Sequence, residues 1–427
     1  MKHLLQKGLE MRPGGPELAA LHSPAAVAEA ETLITPEAII GPGLGRDFRV
    51  DMLVEPDAVV AQGDALAQSR RDPRLVLSAP MAGRVARIDL GPGRRLERIE
   101  IFSDDSGRQR QFDTSAADTA PGLRALMLDS GLWVLALRSR PGGGLADPDV
   151  MPAAIFVAAA ETRPGALAPR LALAGQMDEF RRGLDALALL TGGEVHLVQD
   201  DGTDLVPAGG RLRIHRAGGL HPAGLIGGHI HHIRPALPGR PVWQIEAQDV
   251  AALGALILTG HLPPARLVSV AGPGLARARL VRTQPGADMR ALVQGALTPG
   301  PKMILSGDAL AGQETRHLMP GARLVTAMPR PAAGAGDHWF RAALGRAARP
   351  VPLIPSAAVE QSLPAGIPAV PLLRALGAGD DEAAIRLGAL SLVEEDLALA
   401  DYITAAHPRF AALIRALLER TAIEEGA

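Results

Sequence analysis

Ala153-Ala-Ile-Phe-Val-Ala158, then Met177, Phe180, Leu184 and Leu187, then Gly192-Gly193 and Glu194-Val-His-Leu-Val198, form the stretch whose reading sets the fold class. The first run is apolar throughout, as a strand covered on both faces of a parallel sheet requires. The four residues that follow are spaced by three, four and three, which puts them on one helix face. Gly192-Gly193 ends that helix, and Glu194 opens the next strand. Strand, helix and strand in this order predict an α/β arrangement. The alternation continues with a helix over about Ala247 to Thr259, with Val250, Leu253, Leu256 and Ile257 inward and Gly260 as its left-handed stop. Arg266-Leu-Val-Ser-Val270 then reads as another strand.

Toward the N-terminus the pattern changes to short strands of period two. Val54-Glu-Pro-Asp-Ala-Val-Val-Ala-Gln-Gly63-Asp64-Ala-Leu is followed by Asp72-Pro73 and by Leu75-Val-Leu-Ser-Ala-Pro80-Met-Ala-Gly83-Arg-Val-Ala-Arg-Ile88, with Gly-Asp and Pro-x-x-Gly turns between them. These residues look like the half-motifs of a biotinyl/lipoyl-type barrel-sandwich hybrid. Carriers of that type hold a lysine at the tip of the central hairpin. Here the tip reads Asp72-Pro73-Arg74, and no lysine lies between Lys7 and Lys302, so no acyl-lysine bond can form. Toward the C-terminus, Ala278 to Thr283, Met303-Ile-Leu-Ser-Gly307 and Leu324-Val-Thr326 are short strands among Gly/Pro turns. Ala332 to Gly336 has linker composition. Ser391-Leu-Val-Glu394 has capping-box spacing, Pro408 suits the first turn of a final helix, and Phe410, Leu413, Ile414, Leu417 and Leu418 form its apolar stripe.

The fold class expected is therefore α/β multidomain. Residues 1–30 are an N-terminal segment. Residues 31–103 are a lipoyl-like barrel-sandwich-hybrid β module without an acceptor lysine, and residues 104–265 a Rossmann-like α/β domain. Residues 266–330 are a β-grasp-like module of SLBB type, and residues 331–427 a linker with a helical C-terminal domain.

Composition narrows the function. A chain of 427 residues exceeds what one core organises. Hydrophobic residues make up 47% and aromatics 3%, so the core rests on Ala, Leu, Val and Ile. Mean hydropathy is +0.12, yet no apolar run of about 18 residues is present, so no membrane span is expected. The polar start, Met1 to Glu10, has no signal-like core, and the expected compartment is the cytoplasm. With no cysteine, thiolate nucleophiles, disulfides and cysteine-ligated zinc or iron–sulfur centres are excluded. A net charge of −2, from 44 basic and 46 acidic residues, gives no reason to expect nucleic acid as a partner.

Few segments carry chemistry. Gly41-Pro-Gly43-Leu-Gly45-Arg46 lacks G-x-G-x-x-G spacing, and Pro42 removes an amide that a phosphate cradle needs, so it reads as a β-turn. Gly142-Gly-Gly144 reads as a loop. No Walker A motif and no G-x-S-x-G elbow occur. The strongest signal is Gly219-Leu-His221-Pro-Ala-Gly224-Leu-Ile-Gly-Gly228-His229-Ile-His231-His232. In a strand, His229 and His231 would share one face and His221 would approach from the preceding loop, an acceptable zinc site with one open position. No Asp or Glu in the segment orients the imidazoles, and histidines holding a Gly-rich loop by hydrogen bonds are the alternative. Arg138 and Arg140, following Ser130-Gly-Leu-Trp133, would grip an anionic headgroup or an acidic partner, or form a solvated basic turn.

At these residues a family comes into view. Ser130-Gly-Leu-Trp133 with Arg138-Ser-Arg-Pro141, Ile155-Phe-Val157 with Glu161-Thr-Arg-Pro164, Phe180-Arg-Arg-Gly-Leu-Asp185, His221-Pro-Ala-Gly-Leu225 with His229-Ile-His231, Ser269-Val-Ala-Gly-Pro273, Leu280-Val-Arg-Thr283 and Glu394-Glu-Asp-Leu-Ala-Leu399 run in order along almost the whole chain. Together they resemble the A-type subunit of the Na+-translocating NADH:quinone oxidoreductase, and are similar also to the C-type subunit of the Rnf complex. The resemblance implies a cofactor-free, cytoplasmic subunit held at the inner membrane by membrane-embedded partners, with an NADH-oxidising subunit in the same complex. FAD, FMN, riboflavin and an iron–sulfur cluster would sit on other subunits, and the isolated chain would not be catalytic. The complex would couple electron transfer to ubiquinone with Na+ translocation. Segments matching Leu33 to Gly41 and Leu137 to Gly144 imply quinone-proximal roles for Ile39, Ile40, Trp133, Arg138 and Arg140. This chain departs from the family in having Gly142-Gly-Gly144 after Pro141, Tyr402-Ile-Thr-Ala-Ala-His-Pro408 where the sodium-pump family often keeps cysteines, and a shorter Met319 to Ala365 region. A paralogue serving another flavin-containing membrane redox complex, or a stand-alone His-ligated metal-dependent enzyme, is the alternative.

Overall fold

A computed structural model describes residues 27–41, 48–330, 353–364 and 366–426. The turn after Gly41, the linker at Ala332 to Gly336 and most of the segment 1–30 lie outside the described residues.

Two small antiparallel sheets form the barrel-sandwich module. One runs in the order Glu37–Ile40, Arg95–Ser103, Gly83–Gly91 and Val59–Val60, and the other in the order Val50–Met52, Ala65–Ser69 and Val76–Ser78. Their inward residues, among them Leu66, Leu77, Val85, Ile99 and Ile101, are fully buried. Gly83 has to be glycine, because a Cβ there would overlap the carbonyl of Phe102 on the paired strand. The hairpin tip expected at Asp72-Pro73-Arg74 does join two strands, and it is fastened rather than free. Arg74 forks onto Asp72 and onto Asp149 of the next unit at 2.7–2.8 Å.

The α/β unit has a five-stranded sheet in the order Leu212–Arg216, Glu194–Gln199, Ala154–Ala159, Val242–Glu246 and Arg138–Arg140. The first four strands are parallel and the last is antiparallel. Ala154–Ala159 is buried at every position, which is why it reads as an unbroken apolar run. Ile155 and Val157 face a layer containing Phe180, Leu184, Val250 and Leu253, from the helices Met177–Leu187 and Ala247–Thr259. Phe156 and Ala158 face Ile226 and Ile230 of the helix Ile226–Ile233 on the other side. Gly260 closes Ala247–Thr259 at φ 76°, the left-handed stop expected from the sequence.

A third, six-stranded sheet runs Glu31–Thr32, Arg279–Thr283, Arg266–Ala271, Leu324–Pro329, Lys302–Ser306 and Gln313–Glu314, with Arg266–Ala271 and Leu324–Pro329 parallel at its centre. The C-terminal residues form the helices Ala357–Glu360, Ala369–Ala378, Asp381–Arg386, Ala398–Thr404 and Phe410–Gly426 around a core containing Leu372, Leu390, Ile414 and Leu417. Two expectations at helix starts need correction. Ser391 does not open a helix. It ends a 3-10 turn, its Oγ accepts from the Ala236 amide at 3.2 Å, and Asp396 supplies the cap by accepting from the Val393 amide at 2.8 Å. Pro408 lies ahead of the last helix, whose first amides at Phe410 and Ala411 are received by the Asp401 carboxylate. No helix among the described residues is long and apolar enough to cross a membrane.

Candidate functional site

Glu194–Gln199 pairs with one side of Ala154–Ala159 and Val242–Glu246 with the other, so the strand order reverses at this pair of neighbours. Open parallel sheets bind ligands in the crevice outside the carboxyl ends of such strands. Here that crevice has a volume of about 300 Å³ and is rich in charge. Glu161 and Arg163 follow the first strand, and Glu246 ends the second. The C-terminal helical region fills part of the space with its own carboxylates. Arg163 pairs with Glu161 and, at 2.8 Å, with Glu395. Arg140 reaches Asp396 at 3.2 Å, the Ser391 carbonyl at 3.1 Å and Gln244 at 2.9 Å. Arg323 pairs with Asp249. Burial pushes the Glu395 carboxyl up to about 7 against the pull of Arg163, and burial also raises Glu246 and Asp396. Glu246 and Glu395 of the crevice thus ionise less readily than usual, whereas Arg163 holds Glu161, despite its burial, below the usual carboxylate range.

A second cleft adjoins the first and shares Leu135, Gln248, Asp249, Leu267 and Pro320 with it. Its cavity of about 130 Å³ lies where the β module, the α/β unit and the third sheet meet, and its wall is largely aliphatic. Ile39 and Ile40, singled out in the sequence, line this cleft from the strand Glu37–Ile40.

The other singled-out residues are placed differently from what local sequence implied. Trp133 is fully buried in the core, with its Nε1 donating to the Ala146 carbonyl at 2.8 Å and its ring meeting Trp243 edge-on at 5.2 Å. Arg138 and Arg140 form neither an exposed headgroup grip nor a solvated turn; they lie on an edge strand of the sheet. Arg140 is 2% exposed. Arg138 donates to the carbonyls of Val134 and Leu137, and burial lowers its affinity for its proton. Both line the charged crevice. A strand needs lateral partners, and Val242–Glu246 supplies them to Arg138–Arg140.

The histidine segment is the larger correction. His229 and His231 lie on the helix Ile226–Ile233 rather than on a strand, so they point about 200° apart around its axis. The three rings go to three places. His221 sits 3.3 Å from the Thr162 hydroxyl, His229 donates through Nε2 to the Ala223 carbonyl at 2.9 Å, and His231 packs over Gly388. Burial lowers the proton affinity of all three, taking His229 to about 4. No group of three or more His, Cys, Asp or Glu suited to a metal ion is present among the described residues. A different pair, His196 and His215, stands on adjacent strands with Nδ1 and Nε2 3.0 Å apart, and no sequence pattern announced it. The pairings of Arg163 with Glu395 and of Arg140 with Asp396 were equally silent. The one local signal was a charged residue just past an apolar strand, as at Glu161 and Glu246.

Three family models match in order along the chain. They are described as the NqrA N-terminal barrel-sandwich hybrid domain over residues 5–104, the NqrA second alpha/beta domain over residues 119–262, and the NQRA C-terminal domain over residues 267–317. The chain is 34% identical to the A-type subunit of the Na(+)-translocating NADH-quinone reductase from Shewanella amazonensis, covering 97% of this chain and 98% of that protein. It is 31% identical to the corresponding protein of Actinobacillus pleuropneumoniae and 32% identical to that of Photorhabdus laumondii, each over the same shares of the two chains.

Proposed function

The chain belongs to the NqrA family, the A-type subunits of the Na+-translocating NADH-quinone reductase, and from that premise we propose that it is the peripheral, cofactor-free subunit of such a respiratory complex. The observation that carries the proposal is the end-to-end match: relatives named as one subunit of an oxidoreductase complex align with 97% of the chain. On this reading the chain sits on the cytoplasmic side of the inner membrane and is held there by membrane-embedded subunits. Another subunit oxidises NADH, and FAD, FMN, riboflavin and an iron–sulfur cluster reside on the partners. The three folded units before the helical C-terminal domain serve as a lipoyl-like module, a Rossmann-like domain and a β-grasp-like module.

The chain's own contribution to quinone access is assigned to the pair of clefts. Ile39 and Ile40 supply an apolar wall that a ring and isoprenoid tail would prefer to water. Arg138 and Arg140 stand in the adjoining charged crevice, and Trp133 holds the loop that follows them by donating from the core to the Ala146 carbonyl. Arg140 is already committed to Asp396, so its role is to shape the crevice rather than to hold a headgroup. The test is affinity purification of the tagged protein from detergent-solubilised native membranes, with mass spectrometry of its companions. Flavin-carrying membrane subunits and an NADH-oxidising subunit should accompany it. Recovery of the chain alone would overturn the proposal.

A further inference from the structure

Arg266 opens the strand Arg266–Ala271, and its half-buried side chain lines the apolar cleft beside Leu262 and Leu267. Burial lowers its proton affinity to about 10, while the Asp249 carboxylate works against that shift. Among the described residues its guanidinium donates no hydrogen bond and enters no ion pair. The neighbouring charges are engaged elsewhere. Asp249 pairs with Arg323, and Arg282 donates to the carbonyls of Val27 and Ala30. An arginine does not give up its proton in a protein. A half-buried guanidinium without a partner among the described residues is poorly solvated, a cost that a bound anion would offset.

The rest of the wall sets the shape of that anion. Ile40, Leu77, Leu132 and Leu135 are aliphatic, and the cavity of about 130 Å³ is close to the ~150 Å³ that takes a benzene ring in an engineered apolar cavity. We propose that this cleft is a binding site for a monocarboxylate with a ring-sized apolar body, its two carboxylate oxygens forked by the Arg266 guanidinium and its body against Ile40, Leu77 and Leu135. A planar guanidinium matches a carboxylate in just this two-point way. A second negative charge on the ligand is disfavoured, because Asp249 stands at the same end of the cleft. The acid would share the wall of Ile39 and Ile40 with a quinone and compete with it, so the inference does not rest on the quinone reading, which concerns a neutral molecule.

The full-length protein is titrated calorimetrically with 3-phenylpropionate and, separately, with its neutral counterpart 3-phenylpropionamide. The acid is expected to bind, and the amide to bind roughly ten- to hundredfold more weakly, the range of a charge-assisted hydrogen bond. Arg266→Gln should bring the acid to the level of the amide, and Arg266→Lys should restore part of the difference. Leu262→Phe, which narrows the cavity without touching the charge, should weaken both ligands. Equal binding of acid and amide, an Arg266→Gln variant that folds and keeps the acid's affinity, or no binding of the acid at all would each overturn the proposal. If the glutamine variant does not fold, the comparison of acid with amide on the unaltered chain decides alone. Equal binding would leave the proposed place in the respiratory complex standing, and recovery of the chain without membrane partners would leave the carboxylate site standing.

Discussion

Arg140 and Asp396, 256 residues apart in sequence, meet at 3.2 Å with each side chain only 3% exposed. The pair ties the edge strand of the α/β sheet to the C-terminal helical region, and the Ser391 carbonyl and Gln244 complete the guanidinium's bonding. Removing one partner of a buried pair leaves the other charged and unsatisfied, which costs about 3–5 kcal/mol. Asp396→Ala should therefore lower the urea midpoint followed by intrinsic tryptophan fluorescence. Combining it with Arg140→Met should recover part of the loss. An unchanged midpoint in the single variant would show that the pair does not hold the two units together.

Gly254 decides how close two helices lie. A Cβ there would overlap the carbonyl oxygen of Glu179, and one at Gly183 would overlap that of Val250. Helix propensity alone favours Gly254→Ala by about 1 kcal/mol. Overpacking at a backbone contact typically costs about 1–3 kcal/mol, and a rigid carbonyl cannot move aside as a side chain can. Packing should win, so the alanine variant is expected to melt below the wild type; a rise in melting temperature would count against this account.

His196 links stability to pH. Burial, with His215 beside it, lowers its pKa to about 4 from an ordinary value of 6.5. The unfolded chain binds a proton between these values that the folded chain refuses. The stabilising contribution is thus fully present above about pH 6.5 and is lost as pH falls toward 4. At about 1.4 kcal/mol per pKa unit, the loss by pH 4 is on the order of 3–4 kcal/mol. Denaturation midpoints measured from pH 7.5 to 4.5 should fall, and His196→Gln should flatten part of that slope. A slope identical in the variant would assign the effect to other groups.

Arg74 offers a contrast. Its bonds to Asp72 and Asp149 are short, but all three side chains touch solvent. Exposed pairs of this kind contribute little. Arg74→Ala should leave the thermal midpoint at the wild-type value, and a clear fall would mean that the hairpin tip is a structural joint.

Much of the fold was legible because the signal was local. The apolar run at Ala154–Ala159, the helix face of Met177–Leu187 and the Gly260 stop each depend on residues a few positions apart. The absence of a lysine from the hairpin tip likewise needed no structure. The His229-Ile-His231 segment misled because a short apolar stretch with two histidines fits either period. Packing of Ile226 and Ile230 against Phe156 and Ala158 selected the helix. Ser391-Leu-Val-Glu394 misled because the spacing of a cap is not the cap; the Ala236 amide claimed the serine.

By itself the sequence determined the absence of cysteine and of a lysine at the hairpin tip, the run of strand, helix and strand from Ala154 to Gln199, and the resemblance that leads to the family. Only the tertiary structure decided that Arg140 meets Asp396, that Arg163 meets Glu395, and that Arg266 faces an apolar cleft without a partner among the described residues. The physical reason is range. Periodicity and turn chemistry act over a few residues along the chain. Desolvation and ion pairing instead depend on which distant segments exclude water from one another.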